Sequence, residues 1–162
     1  MERDMIIRPL DPSDWRAFRS LRLESLETDP HAFGATAAST RTKPDQFWIG
    51  RLEEVQAGRA WLVFAEEGER LVGMVGAMPQ GKRAAEIISM FVRPESRGCG
   101  VGRLLLERIL SDVAASGVHK ATLNVRTTQT SAIRLYRSCG FVEVPSTSPD
   151  ELTMQRDLVS SS

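Results

Sequence analysis

The chain has 162 residues, room for one compact domain with a sizeable core and not comfortably for two. Hydrophobic residues make up 41% and charged residues 26%, the mixture of an ordinary soluble globular protein. Lys plus Arg and Asp plus Glu both total 21, so no overall field favours nucleic acid or an anionic membrane.

The N-terminus, Met1-Glu2-Arg3-Asp4, has no basic region leading into an apolar stretch, which argues against a secretory signal. No window approaches the ~20 apolar residues of a membrane helix. Two cysteines, Cys99 and Cys139, make neither a disulfide framework nor a metal-ligand spacing. The expectation is a cytoplasmic protein without a bound metal.

Met5 to Leu10 reads as a first strand that stops at Pro9, and Asp11-Pro12-Ser13-Asp14 supplies a helix start. The helix that follows gathers Trp15, Phe18, Leu21, Leu23 and Leu26 on one broad face. Arg16, Ser20, Glu24 and Glu27 fall on the wet face, and Arg22 interrupts the apolar side and is expected to snorkel out of it. Residues 28–42 read as a loop, with His31 beside Phe33 as a candidate for lining a substrate pocket or simply for solvation. A second helix is predicted from Pro44 to Gln56, with Phe47, Trp48 and Leu52 inward and Gly58 closing it.

From residue 60 the period changes to two. Trp61–Ala65 and Leu71–Met78 read as a hairpin around Glu66-Glu67-Gly68-Glu69, and Glu86–Val92 as a third strand ended by Pro94. A strongly apolar helix then runs from Val101 past Leu105 and Ile109 to stop near Gly117. Lys120–Val125 is a strand, Ser131–Ser138 a helix with Gly140 placed to cap it, and Phe141–Val144 and Glu151–Leu158 are the closing strands. The loop Pro145 to Asp150 between those last two is a second candidate for shaping a substrate pocket. Residues 1–159 are taken as one domain, and 160–162 as a frayed tail. This order predicts an α/β fold, a mixed central sheet with helices on both faces.

The segment from Arg93 to Arg103 carries the clearest chemistry. Gly98, Gly100 and Gly102 let successive N–H groups point into one concavity, and the helix start behind them adds partial positive charge. Arg93, Arg97 and Arg103 face a lone Glu95 in this stretch. Together they point to a phosphate or pyrophosphate. A nucleotide-triphosphate loop would end in Gly-Lys-Ser/Thr, whereas Arg103-Leu104 follows Gly102; a dinucleotide fingerprint spaces its glycines differently and needs an acidic residue near Leu123–Val125.

Arg97-x-x-Gly100-x-Gly102, preceded by Ser89-Met90-Phe91-Val92-Arg93-Pro94, resembles motif A of the GNAT acetyltransferases. Asn124-Val125-Arg126 through Ala132-Ile133-Arg134-Leu135-Tyr136-Arg137-Ser138-Cys139-Gly140-Phe141 resembles motif B, in the right order and at about the right distance. The resemblance implies a mostly antiparallel sheet of six to seven strands with about four helices. It implies acetyl-CoA as acetyl donor and an amine, small molecule or peptide, as acceptor, joined by direct attack in a ternary complex. It also implies a soluble enzyme that is often a homodimer; a non-catalytic acyl-CoA sensor with the same fold is the alternative.

Carried over residue by residue, Met90, Phe91 and Val92 would pair with the pantetheine arm, and the N–H groups of Arg97, Gly98, Cys99, Gly100, Val101, Gly102 and Arg103 would bind the pyrophosphate. A backbone N–H near Phe91 would polarise the thioester carbonyl. Tyr136 matches the family tyrosine near the cofactor sulfur, as general acid or hydrogen-bond donor; its other reading is a core plug. Gln129 stands where the family often has Asn, with the same amide on a longer stem. Asn124 stands where acetyltransferases of ribosomal N-termini carry Glu, which weakens that assignment. Glu86 is the best carboxylate for a general base, against a solvated strand-end charge or relay through water. Cys99 is read as a small space-filler in the loop, since no histidine is near in sequence.

Overall fold

Seven strands form one sheet in the computed structural model, which describes residues 5–30 and 36–158. His31, Phe33, Met1–Asp4 and the tail 160–162 lie outside the described residues. The strands are β1 (Met5–Arg8), β2 (Trp61–Glu67), β3 (Arg70–Gln80), β4 (Ala84–Val92), β5 (Lys120–Arg126), β6 (Val142–Val144) and β7 (Glu151–Asp157), in the order β1-β2-β3-β4-β5-β7-β6. Every neighbouring pair is antiparallel except β4 with β5. That exception follows from the connection: a crossover through a helix returns the chain parallel.

The helices are α1 (Trp15–Thr28), α2 (Ala37–Arg41), α3 (Asp45–Gln56), α4 (Val101–Ala115) and α5 (Thr130–Ser138). None of them is long and apolar enough to cross a membrane. α1 starts behind a short 3₁₀ turn, Pro12–Asp14, where the Asp11 carboxylate accepts from the Ser13 N–H (2.9 Å). α2 falls inside the segment 28–42 expected to be a loop and brings the α-helices among the described residues to five. Its cause is a local cap, the Thr36 hydroxyl accepting from the Ser39 N–H at 3.1 Å.

Alternation along the strands divides the core in two. Leu62, Phe64, Met74 and Phe91 face α1 and α3, where Phe18 stands edge-on to both Trp48 and Phe64. Val63, Ala65 and Val75 face the other way, onto Leu105, Ile109 and Val113 of α4. Gly73 lets α4 close on the sheet: a Cβ there would stand 2.9 Å from the Phe91 carbonyl oxygen and 3.0 Å from Leu105 Cδ1.

Two expectations on α1 change. Glu24 is not a wet-face charge but is half-buried and ion-paired with Arg93, which bolts α1 to the end of β4. Arg22 does not snorkel outward; it is half-buried and lines a cavity.

Candidate active site

β4 and β5 pair only at Ala84↔Lys120, Ala85↔Ala121 and Glu86↔Thr122. β4 nevertheless runs on to Val92 and β5 to Arg126, so beyond Glu86 the two strands diverge. A cavity of about 860 Å³ opens along the split. Peptide groups that would have bonded across a closed sheet face it instead, a demand that an extended ligand can meet as a strand would.

A bulge shapes the β4 wall. The register passes from Met74↔Phe91 to Gly76↔Ile88, two residues along β3 against three along β4. The extra residue sits at Ser89 and Met90, and Ser89 has φ of +59°, the left-handed region that non-glycine residues avoid at a cost of about 1 kcal/mol. A bulge of this kind re-aims the strand at its own position. Beyond it the Val92 carbonyl accepts from Arg97 Nε (2.8 Å), while the Arg93 N–H returns to the Val72 carbonyl (2.8 Å).

The glycine loop closes one end. Gly98 and Gly100 have φ of +79° and +85°, and nothing lies within 4 Å of where a Cβ would stand at either. Gly102 differs: its Cβ position is 3.1 Å from Leu135 Cδ2, so it serves the approach of α4 to α5. Gly100 caps α4, and Gln129 caps α5, without a side-chain hydrogen bond at either. Both helix starts line the cavity, so their orphan N–H groups and partial positive charge converge on it.

The three loop arginines are occupied structurally. Arg97 Nη2 donates to Asp29 at 2.8 Å, and its guanidinium lies 5.8 Å from the Phe91 ring centroid. Its backbone N–H, expected in the phosphate cradle, donates to the Pro94 carbonyl (3.2 Å) and closes a 3₁₀ turn over Pro94–Ser96. The free donors of the cradle therefore begin at Gly98. Arg103 Nη2 donates to Ser138 Oγ (2.7 Å), and Arg93 pairs with Glu24 and Glu95. Cys99 is exposed and does not line the cavity; its thiol lies 3.8 Å from the Arg97 carbonyl oxygen.

Of the other residues singled out from sequence, Glu86, Met90, Phe91, Val92, Val101, Gln129 and Tyr136 all line the cavity. Tyr136 is buried, edge-on to Phe141 at 5.9 Å, and burial pushes its hydroxyl up to about 12. Glu86 is half-buried and makes no side-chain hydrogen bond or ion pair with the described residues. The 145–150 loop belongs elsewhere, to a separate open depression of about 520 Å³ with Glu143 and Leu152. Among the wall residues that sequence reading did not assign to the site are Arg22 of α1, Arg51 of α3, Ser89 and Asp29. A positive charge set between Leu21 and Leu23 was the one available signal for Arg22.

Residues 15–141 match the model of the acetyltransferase (GNAT) family. N-acetyltransferase 8 of Homo sapiens is 34% identical over 82 residues, 48% of this chain and 36% of that protein. N-alpha-acetyltransferase RimI of Mycobacterium tuberculosis is 37% identical over 105 residues, 59% of this chain and 65% of that one. The chain thus spans less than two thirds of the length of these curated relatives. In fold it is similar to YncA of Salmonella typhimurium, solved with its cofactor acetyl-CoA: TM-score 0.78 at 23% identity, over 98% of this chain and 96% of that one. The split sheet, the cradle beneath it and a family match over most of the length agree: the chain belongs to the GNAT family of acetyltransferases.

Proposed function

We propose that the protein is an N-acetyltransferase that passes the acetyl group of acetyl-CoA to an amine by direct attack, both substrates being held in the one cavity. The observation that carries this reading is the split between β4 and β5 ending on two uncapped helix starts. The residues fit coenzyme A. Gly98 and Gly100 leave open space where a side chain would stand, as a pyrophosphate lying against backbone requires. The exposed edge of β4 suits the amide-bearing pantetheine arm. YncA, of the same fold, carries acetyl-CoA.

Bound there, acetyl-CoA supplies a thioester: the acceptor nitrogen, once its ammonium has lost one proton, forms the C–N bond, the C–S bond breaks, and the second proton the nitrogen sheds ends on the departing sulfur, so that CoA leaves as its thiol. The N–H groups from Gly98 to Arg103 hold the pyrophosphate. Met90 and Phe91 hold the arm, and a backbone N–H near Phe91 polarises the carbonyl. Gln129 offers its amide to the arm at the start of α5.

Tyr136 works as a hydrogen-bond donor that keeps its proton. Full transfer from a hydroxyl at about 12 to a thiolate at ~8.5 is more than three pK units uphill. A hydrogen bond to the departing sulfur carries no such penalty. Glu86, its carboxylate unpaired among the described residues, receives the acceptor's ammonium and takes its proton.

Two measurements test this on the full chain: calorimetric binding of coenzyme A, and thiol release from acetyl-CoA with amino acids, small amines and peptides carrying free α-amines. The last arm follows from the likeness to N-alpha-acetyltransferase RimI. Tight binding with turnover is expected. Binding without turnover of any amine would make the protein an acyl-CoA sensor.

A further inference from the structure

We infer that the acceptor is an amino carboxylate, a small zwitterion whose ammonium meets Glu86 while its carboxylate is held by Arg22 and Arg51. This rests on the acetyl-transfer reading and names the substrate class of that site.

The cavity passes through the sheet. Its cofactor end is walled by α4 and α5, which pack on one face; its other end is walled by α1 and α3, which pack on the opposite face. Two cations stand at that second end. Arg22 leaves α1 between Leu21 and Leu23, both buried, and is itself half-buried in the cavity wall. Arg51 comes from α3, is exposed to the cavity, and has its guanidinium 5.3 Å from the Phe47 ring centroid.

Both sit in one neighbourhood: burial, and secondarily the Arg51 charge, pushes Arg22 down to about 10. Like charges gathered at one end of a cavity repel, and an anion placed there relieves them. Asp29 is bonded to Arg97, and Glu24 to Arg93. Arg51 makes no hydrogen bond or ion pair with the described residues.

The phosphates of coenzyme A do not account for this pair, because their cradle lies at the α4–α5 end. Guanidinium forks match a carboxylate in bidentate geometry. Glu86 supplies the opposite charge in the same cavity, at the last residue of the β4–β5 pairing where the split begins. Positive charge under α1 and α3 with a carboxylate at the strand edge is the complement of a molecule with one ammonium and one carboxylate.

The test measures initial rates of thiol release with acetyl-CoA and the standard L-amino acids. Each is set beside its carboxamide and its decarboxylated amine, and O-phosphoethanolamine serves as an anionic amine of another kind. We expect the best amino acid to exceed its two carboxylate-free partners by at least about tenfold in kcat/KM. Arg51→Gln is expected to raise the amino acid's KM by about tenfold and leave the KM for acetyl-CoA unchanged. Arg22→Lys, which keeps the charge and loses the fork, should act in the same direction. Arg51 is exposed, so its variant keeps the test open if Arg22→Lys fails to fold.

Equal use of an amino acid and its carboxamide would overturn the inference. So would preference for O-phosphoethanolamine, or a rise in the acetyl-CoA KM in Arg51→Gln. Turnover of carboxylate-free amines alone sinks this inference and leaves acetyl transfer standing, whereas binding of coenzyme A with no turnover at all sinks both.

Discussion

At the α4–α5 end of the cavity the groups offered to a ligand are peptide N–H groups on a glycine loop and at two helix starts. At the α1–α3 end they are side chains, Arg22 and Arg51, with Glu86 in the wall of the same cavity. Backbone recognition needs only a local sequence that leaves donors free, and it suits a cofactor that never changes. Side-chain recognition needs tertiary packing to bring distant residues together, and it can be altered one residue at a time. A fold that keeps one end in backbone and the other in side chains can hold its donor constant while its acceptor varies.

Gly100→Val is the largest expected break in that contrast. It places a β-branched side chain at φ of +85° and fills space where the cradle faces its ligand. Affinity for coenzyme A should fall by about a hundredfold or more in calorimetry, since phosphate and the helix start lose their direct approach. A variant that folds and binds normally would remove the cradle from the site.

Gly73→Ala probes the packing between α4 and the β3–β4 pair. Its Cβ would stand 2.9 Å from the Phe91 carbonyl oxygen, which belongs to a buried strand and has little room to move. Overpacking of this kind should cost about 2 kcal/mol, roughly 4–8 °C in a thermal melt. An unchanged melting temperature would show that α4 yields without effect.

Tyr136→Phe and Glu86→Gln test the middle of the cavity. Each should lower kcat by about tenfold to a hundredfold, with affinity for coenzyme A within about twofold of the parent. A loss confined to KM for acetyl-CoA would recast Tyr136 as a packing residue.

The smallest effect is read by titration. Tyr136 is the chain's single tyrosine, so tyrosinate absorbance reports it alone. In the folded protein the midpoint should lie near 12, against ~10 in denaturant. The sign follows from linkage. A hydroxyl whose folded pKa is raised contributes stability that is fully present below ~10 and is lost as pH rises through about 12. Tyr136→Phe should therefore unfold less readily than the parent above pH ~10, relative to their difference at neutral pH. A folded midpoint near ~10 would place the hydroxyl in water and end the argument that it keeps its proton.

Much of the fold was legible because its cues are local. The alternation of Leu62, Val63, Phe64 and Ala65 marks a two-faced strand, and the apolar positions of α4 mark a helix buried along its length. The glycine-loop end of the cavity was legible for the same reason, with Gly98, Gly100 and Tyr136 inside two contiguous motifs. The α1–α3 end was not, because Arg22 and Arg51 come to one cavity only through the packing of α1 and α3. Arg22 read as an interruption to be carried outward, and only the tertiary fold shows that its local surroundings are a cavity wall. The amide of Arg97 was misplaced for a subtler reason: a 3₁₀ turn after Pro94 uses that N–H, and turn closure leaves no mark in composition. The bulge at Ser89 was equally silent, since serine carries no preference for φ of +59°.

The short β4–β5 pairing has a mechanical consequence. Three residue pairs along the ladder join a four-stranded half, β1 to β4, to a three-stranded half, β5 to β7. The sheet therefore has a perforation rather than a continuous weave, and the perforation runs through the place where a ligand would lie. A molecule bonded along the edge of β4 acts there as a stitch, extending the seam beyond Glu86. Amide exchange at Ile87 to Val92 should slow when that stitch is present, while exchange deep in the β2–β3 pairing, already closed on both sides, should hardly change.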